Sequence, residues 1–113
     1  MEDSAISDKE HEAIRRRLIV IRQYAAGTNQ AEFARRLQIS PTRWNNIERG
    51  WPLTLKLAFL ITKRVAGIPL EYITHGKDRD VEKKLKRQLY SLLSELEREL
   101  SSSSKSKRGS ANR

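Results

Sequence analysis

Residues 40–49 carry the polar side chains whose types and spacing best suit recognition chemistry. On a helical wheel of about 100° per residue, Trp44 marks one side and hydroxyl, amide and guanidinium groups occupy the other. These outward groups belong to Thr42, Arg43, Asn45, Asn46 and Arg49. Such groups hydrogen-bond the base edges and phosphate oxygens of nucleic acid. Because any surface helix turns polar residues outward, a solvated face is an equal alternative on chemistry alone.

The net charge of the chain favours an acidic partner. Lys and Arg number 23 and Asp and Glu number 14, which gives +9 over 113 residues. Residues 13–76 hold eleven basic and three acidic side chains, residues 1–12 hold one lysine and five acids, and residues 77–113 hold eleven basic and six acidic side chains. The basic excess is concentrated in the segment that contains the acid-free outward face, which favours nucleic-acid binding.

The composition argues against an enzyme and against a metal or cofactor site. The sequence has no cysteine, and its two histidines, His11 and His75, are 64 positions apart. With no glycine-rich phosphate loop either, we expect no catalytic residue, no metal and no cofactor. The longest apolar runs have four and five residues, far short of the roughly 20 that span a bilayer. The acidic start is unlike a signal peptide, so the sequence predicts a cytoplasmic protein without a membrane partner.

Apolar periodicity and capping residues predict that the ordered part of the chain is all-α. Ser7 and Glu10 form a capping box at the start of a first helix, which is predicted to end at Gly27. Later helices are predicted within residues 54–67 and 70–76, each closed by a glycine.

Two short helices over residues 29–37 and 40–49 are predicted between these segments. Asn29 and Ser40 are their N-caps, and Pro41 occupies the first helical position, where its missing N–H costs nothing. The tight connection between the two helices is typical of a helix-turn-helix, in which the second helix projects into a major groove.

These residues resemble the Cro/C1-type (XRE) helix-turn-helix family. The similar motifs are Gln30-Ala31-Glu32-Phe33-Ala34, Leu37-Gln38-Ile39-Ser40, Ile47-Glu48-Arg49-Gly50 and the closing Gly67-Ile68-Pro69-Leu70-Glu71-Tyr72-Ile73 with Gly76. The resemblance covers residues 13–76. It implies a five-helix DNA-binding domain, generally dimeric on palindromic operators, from a bacterium, phage or plasmid. The contacts that it implies are Gln30, Arg49 and Lys56 with phosphates and Thr42 and Asn46 with bases.

The sequence departs from the family pattern at several positions. Pro41 stands where a glutamine is usual, which shifts the expected reading to Thr42, Arg43 and Asn46. Gln38 stands where the turn usually has glycine, and a positive φ there would cost about 1 kcal/mol. Trp44 occupies a core position normally filled by Ile or Val.

Further basic and aromatic residues have open assignments. The resemblance implies that Glu48 turns inward and bonds an arginine, with Arg22 as the candidate and Arg35 or Arg36 as alternatives. The arginine cluster at 15–17 either contacts phosphates or forms a solvated helix face. Trp51 either packs over the loop that contains it, which we favour, or stacks on a sugar or base.

Residues 77–100 are predicted to contain an additional amphipathic helix, starting at residue 78. Its apolar stripe consists of Leu85, Leu89, Leu92 and Leu96, widened by Val81, Leu93 and Leu100. Such a stripe must be buried against a second copy of the chain or against the chain's own domain. We favour dimerisation, because it supplies the two-fold symmetry of a palindromic site. Residues 101–113 are basic and nearly free of apolar residues, which predicts a disordered tail.

Together these patterns predict a five-helix all-α domain with an extra helix and a sequence-specific, repressor-like transcriptional regulator. We expect a homodimer on a palindromic operator in a bacterial cytoplasm, associated with the nucleoid when bound to DNA. The predicted phosphate contacts are Gln30, Arg43, Arg49 and Lys56, and the predicted base-reading residues are Thr42, Asn45 and Asn46. The alternative is an antitoxin or adaptor whose C-terminal helix binds a protein partner.

Overall fold

A computed structural model describes the backbone of residues 7–111 and the side chains of residues 7–102. Within these residues the chain is all-α, without strands. The six helices are α1 (Asp8–Ala26), α2 (Gln30–Arg36), α3 (Pro41–Glu48), α4 (Leu55–Arg64), α5 (Leu70–His75) and α6 (Lys83–Ala111). None of the described helices is long and apolar enough to cross a bilayer.

The predicted capping residues begin the first four helices. Ser7 and Glu10 form the capping box of α1, and the Asn29 side chain accepts the Glu32 amide at 2.9 Å at the start of α2. Ser40 caps α3, with proline at the first helical position, and Thr54 caps α4. These local hydrogen bonds satisfy amides that have no partner inside a helix.

The turn between α2 and α3 contains a left-handed residue that is not glycine. Gln38 has φ of 60°, and it is the one non-glycine residue with positive φ in the described chain. The positive φ whose cost the sequence analysis considers is therefore present, and it costs about 1 kcal/mol relative to a right-handed conformation.

Two helix boundaries differ from those predicted. α4 ends at Arg64 and not at Gly67, because Val65 adopts an extended conformation with φ of −115° and ψ of 104°. α6 begins at Lys83, five residues later than predicted. Val65 and Val81 are nevertheless buried, so residues outside a helix fill the positions that the apolar stripes assign to helical turns.

The apolar stripe of α6 packs on its own domain, the second of the two predicted partners, and dimerisation through these leucines stays a prediction. Leu85, Leu89 and Leu96 are buried within the single chain, and Leu92 is partly buried against the same core. α6 lies along α1, where Arg16 and Glu97 approach to 3.6 Å. A dimer built on these leucines would therefore require α6 to leave α1.

The two ends of the chain are described only in part. Of the acidic segment 1–12, residues 1–6 lie outside the described residues. The backbone of α6 is helical as far as Ala111, well into the stretch 101–113 for which the sequence predicts a disordered tail. The side chains beyond residue 102 lie outside the described part, so the behaviour of this basic tail stays a prediction.

Candidate nucleic-acid interface

An aromatic pair holds α3 against α2. The rings of Phe33 and Trp44 are fully buried, with centroids 4.8 Å apart and planes inclined at 63°. Edge-to-face aromatic pairs contribute about 0.5–1.5 kcal/mol beyond the burial of their area. Leu37 and Ile47 are buried beside them. The inner side of α3 is therefore anchored in the core, with Trp44 at the predicted position.

The Glu48 carboxylate is a buried acceptor for several donors at the end of α3. Arg22 donates from Nε and Nη2, both at 2.8 Å. Gln30 Nε2 donates to Oε1 at 2.8 Å and the Trp44 indole Nε1 donates to Oε2 at 2.5 Å. Both members of the Arg22–Glu48 ion pair are buried. Burial of a charge is tolerated when it is paired and hydrogen-bonded in this way.

The arginine partner of Glu48 is thereby identified. Arg22 also donates to the Gly27 carbonyl at 2.6 Å, which ties the end of α1 to the same cluster. The alternatives, Arg35 and Arg36, pair instead with Glu32 on the surface of α2.

Gln30 faces the protein interior in this structure. Its amide nitrogen is occupied by Glu48 at 2.8 Å, and the residue is only partly exposed. Pro41, the first residue of α3, has no side-chain amide with which Gln30 could form a hydrogen bond. The structure thus places Gln30 with Arg22 and Trp44 and apart from the outward residues of α3, and its phosphate contact stays a prediction.

The outward side of α3 presents the other predicted residues without partners. Thr42, Arg43 and Arg49 are exposed, and Asn45 and Asn46 are half-buried. Within residues 7–102, none of these five side chains takes part in the hydrogen bonds or ion pairs that the structure shows. Their donors and acceptors are therefore free to bond an external ligand.

The loop after α3 extends this surface towards α4. Arg49 is the C-cap of α3, and Gly50 follows with φ of 120°. Lys56 is exposed in the first turn of α4. Trp51 is 60% exposed, so the prediction that it packs over the loop is wrong.

The arginine cluster of α1 turns back onto the protein, which the sequence does not indicate. The contacts are Arg15 Nη1 with the Glu48 carbonyl at 2.7 Å, Arg16 with the Glu97 carboxylate at 3.6 Å and Arg17 Nη1 with the Ile73 carbonyl at 2.9 Å. A seven-residue spacing from Arg15 to Arg22 places both on one side of α1, which is the signal that could have revealed the contact of Arg15 with α3.

Glu12 holds two of these arginines in place. Arg15 donates to its two carboxylate oxygens at 2.9 and 2.8 Å, and Arg16 donates at 3.0 Å. The hydrogen bond from Arg15, together with that from Arg16, lowers the pKa of Glu12 from 4.5 to about 2 against the opposing effect of desolvation. The Glu12 carboxylate in turn raises the pKa of Arg15. The pair is therefore ionised over the whole neutral range.

Comparison with known proteins identifies no relative of this chain. No protein-family model matches the chain. No curated protein and no solved structure matches it either. The functional assignment therefore depends on the residues and distances given above.

Proposed function

We propose that this protein is a sequence-specific, double-stranded DNA-binding regulator of transcription, repressor-like in action, with α3 as its recognition helix. One observation carries the proposal: polar side chains without internal partners project from a helix whose opposite side is fixed in the core. Hydroxyl, amide and guanidinium groups on one helix face match the edges of bases in a major groove. The core contacts of Trp44 and Glu48 hold that face in a defined orientation.

Base reading is assigned to Thr42, Asn45 and Asn46. Asparagine bonds adenine through two hydrogen bonds, and threonine bonds a base through its hydroxyl or contacts a thymine methyl group. Because these groups are free in the unbound protein, contact with bases requires no internal hydrogen bond to break.

Phosphate anchoring is assigned to Arg43, Arg49 and Lys56, which are exposed around the same surface. The structure gives less support to Gln30 in this role, since its amide nitrogen bonds Glu48. Each phosphate that is neutralised contributes about −0.9 to the slope of log affinity against log salt. Three such contacts per protomer predict a steep loss of affinity with salt.

A homodimer on a palindromic operator stays part of the proposal, as does a bacterial cytoplasm with the nucleoid as the site of action. Leu85, Leu89 and Leu96 of the α6 stripe are buried within the single chain, so we place the contact between protomers on another surface. Dimers with two-fold symmetry match two half-sites that lie about one helical turn of DNA apart.

A second candidate function, binding of a protein partner as an antitoxin or adaptor, is favoured by a different observation. Trp51, Leu55 and Phe59 are 60%, 63% and 49% exposed on the loop and the outer side of α4. Clustered apolar side chains on a surface mark contact sites for proteins. The same residues are available for a second copy of the chain.

Selection of bound sites from random double-stranded DNA, with the mass of the complex measured by light scattering in the same buffer, tests the proposal. We expect a palindromic consensus bound by two protomers. An enriched site without a palindrome, bound by a monomer, would support sequence-specific recognition and contradict the homodimer. No enrichment over random DNA would contradict the proposal and favour the second candidate function, binding of a protein partner.

A further inference from the structure

α1 contributes a second contact with the end of the recognition helix, at the main chain of α3. Arg15 Nη1 donates to the carbonyl oxygen of Glu48 at 2.7 Å. Glu48 is the last residue of α3, and the last carbonyl groups of a helix accept no hydrogen bond from amides of the same helix. α3 has no basic residue in its own last turn, so a guanidinium from another helix supplies the positive charge that favours a helix C-terminus.

The guanidinium of Arg15 is itself held in place. Its Nε and Nη2 bond the two oxygens of Glu12 at 2.9 and 2.8 Å, which leaves Nη1 directed at Glu48. A planar guanidinium that donates two parallel hydrogen bonds to one carboxylate has a fixed orientation. Arg15 is therefore a rigid support for the carbonyl that it contacts.

Two arginines of one helix thus hold a single residue of α3 at two points. Arg15 bonds the Glu48 carbonyl, and Arg22 bonds its carboxylate through two nitrogens at 2.8 Å. The buried Trp44 fixes the middle of α3, and two contacts from positions two helical turns apart on α1 add a restraint at its C-terminal end. The residues next to Glu48 on the outward side are Asn46 and Arg49.

We propose that Arg15, oriented by Glu12, is a positioning residue that sets the orientation of the C-terminal half of α3 for reading DNA. The inference rests on the proposed function, since it assigns to Arg15 a role in the same recognition. Arg15 acts from the inner side through Glu48 and does not itself contact a phosphate.

The test compares Arg15→Ala with Arg16→Ala as a matched control. Both substitutions remove one positive charge and one partner of Glu12 from adjacent positions of α1, and only Arg15 contacts α3 in the described residues. We expect Arg15→Ala to weaken binding to the selected site about tenfold, the size of one charge-assisted hydrogen bond. The affinity for random DNA should fall no more in Arg15→Ala than in Arg16→Ala.

The slope of log affinity against log salt separates positioning from phosphate contact. A phosphate contact by Arg15 would reduce the slope by about 1 in Arg15→Ala, and that result would overturn the proposal. A positioning residue leaves the slope of the wild-type protein unchanged. Arg15→Lys keeps the charge without the fixed three-way geometry, so wild-type affinity in this variant would also overturn the proposal.

Hydrogen exchange tests the contact without DNA. The amides of Arg49, Gly50 and Trp51 bond carbonyls in the last turn of α3 at 3.0–3.1 Å. We expect these amides to exchange about tenfold faster in Arg15→Ala than in Arg16→Ala, because the end of α3 opens more often. Equal rates in the two variants would overturn the positioning role. If the wild-type protein selects no DNA sequence, the proposed function fails, whereas this exchange difference still decides whether Arg15 holds α3.

Discussion

On the inner side of α3, Glu48 accepts hydrogen bonds from Arg22, Gln30 and Trp44, whereas on the outer side five polar side chains have no partner within the described residues. The two sides belong to the same eight-residue helix, Pro41–Glu48, and its C-cap. Both carry polar groups, and the inner side adds the buried apolar surfaces of Trp44 and Ile47. Their polar groups differ in whether donors and acceptors are matched inside the described part of the chain.

This difference teaches how a short helix is prepared for recognition. A helix of two turns has little stability of its own, so its orientation must come from tertiary contacts. A buried ion pair with additional donors is costly to break, which gives Trp44 and Glu48 a defined place. The outward groups are then available to a ligand without loss of any internal hydrogen bond seen in the described residues.

The largest expected effect is a loss of stability when the buried carboxylate of Glu48 is removed, compared with removal of a surface carboxylate that also has two arginine neighbours. Glu48→Gln leaves the buried charge of Arg22 without a counter-ion and should lower the free energy of unfolding by about 3–5 kcal/mol. The control, Glu32→Gln, breaks surface pairs with Arg35 and Arg36 and should cost at most about 1 kcal/mol. Urea unfolding of the two variants makes the comparison, and equal losses would show that burial of Glu48 carries no special cost.

The next effect is expected on DNA binding and not on stability. Asn46→Ala should lower the affinity for the selected site by about 1–3 kcal/mol, because a base loses its hydrogen bonds. Its free energy of unfolding should change by less than about 0.5 kcal/mol, since the side chain has no internal partner. Gln88→Ala, which removes an exposed amide from α6, is the control for both measurements. A loss of equal size on random DNA would remove Asn46 from the base-reading set.

The features that the sequence predicts correctly depend on residues close together in the chain. Asn29 and Ser40 cap their helices because each accepts an amide three residues later. The burial of Trp44 follows from the period of α3. Each of these signals lies within one or two helical turns.

The features that the sequence misses depend on contacts between distant residues. Gln30 and Glu48 are 18 positions apart and Arg15 and Glu48 are 33 apart, and nothing in the local pattern states which way these side chains turn. The stripe of α6 shows that a face must be buried, and only the tertiary structure shows that α1 covers it. The outward side of α3 is predictable from the period alone, whereas the inner side requires the assembled fold.

The turn between α2 and α3 offers a smaller effect of the opposite sign. Gln38→Gly should raise the free energy of unfolding by about 0.5–1 kcal/mol, because glycine adopts positive φ without a steric penalty. Gln88→Gly, at an exposed position inside α6, should lower it by about 1 kcal/mol through the low helix propensity of glycine. Thermal unfolding of both variants measures the difference, and destabilisation by Gln38→Gly would show that the Gln38 side chain stabilises the turn by more than its strain.

The smallest expected effect is a change in the pH dependence of stability at Glu12, whose carboxylate is only partly shielded from solvent. The pKa of Glu12 is lowered from 4.5 to about 2, mainly by the hydrogen bond from Arg15. A carboxyl whose pKa falls on folding stabilises the protein above its unfolded pKa, and this contribution disappears as pH decreases from about 4.5 to 2. Because the Glu12 side chain is 40% exposed, solvent screening keeps the contribution below about 1 kcal/mol.

Urea unfolding between pH 5 and pH 2.5 measures this contribution as a difference between variants. Glu12→Gln should lose less stability over that interval than the wild-type protein, since it lacks the titrating group, and Glu99→Gln, which removes one exposed carboxylate of α6, is the control. Identical curves for all three proteins would mean that solvent cancels the Arg15–Glu12 interaction. The support of α3 would then depend on the contacts made with Glu48 itself, above all its buried ion pair with Arg22.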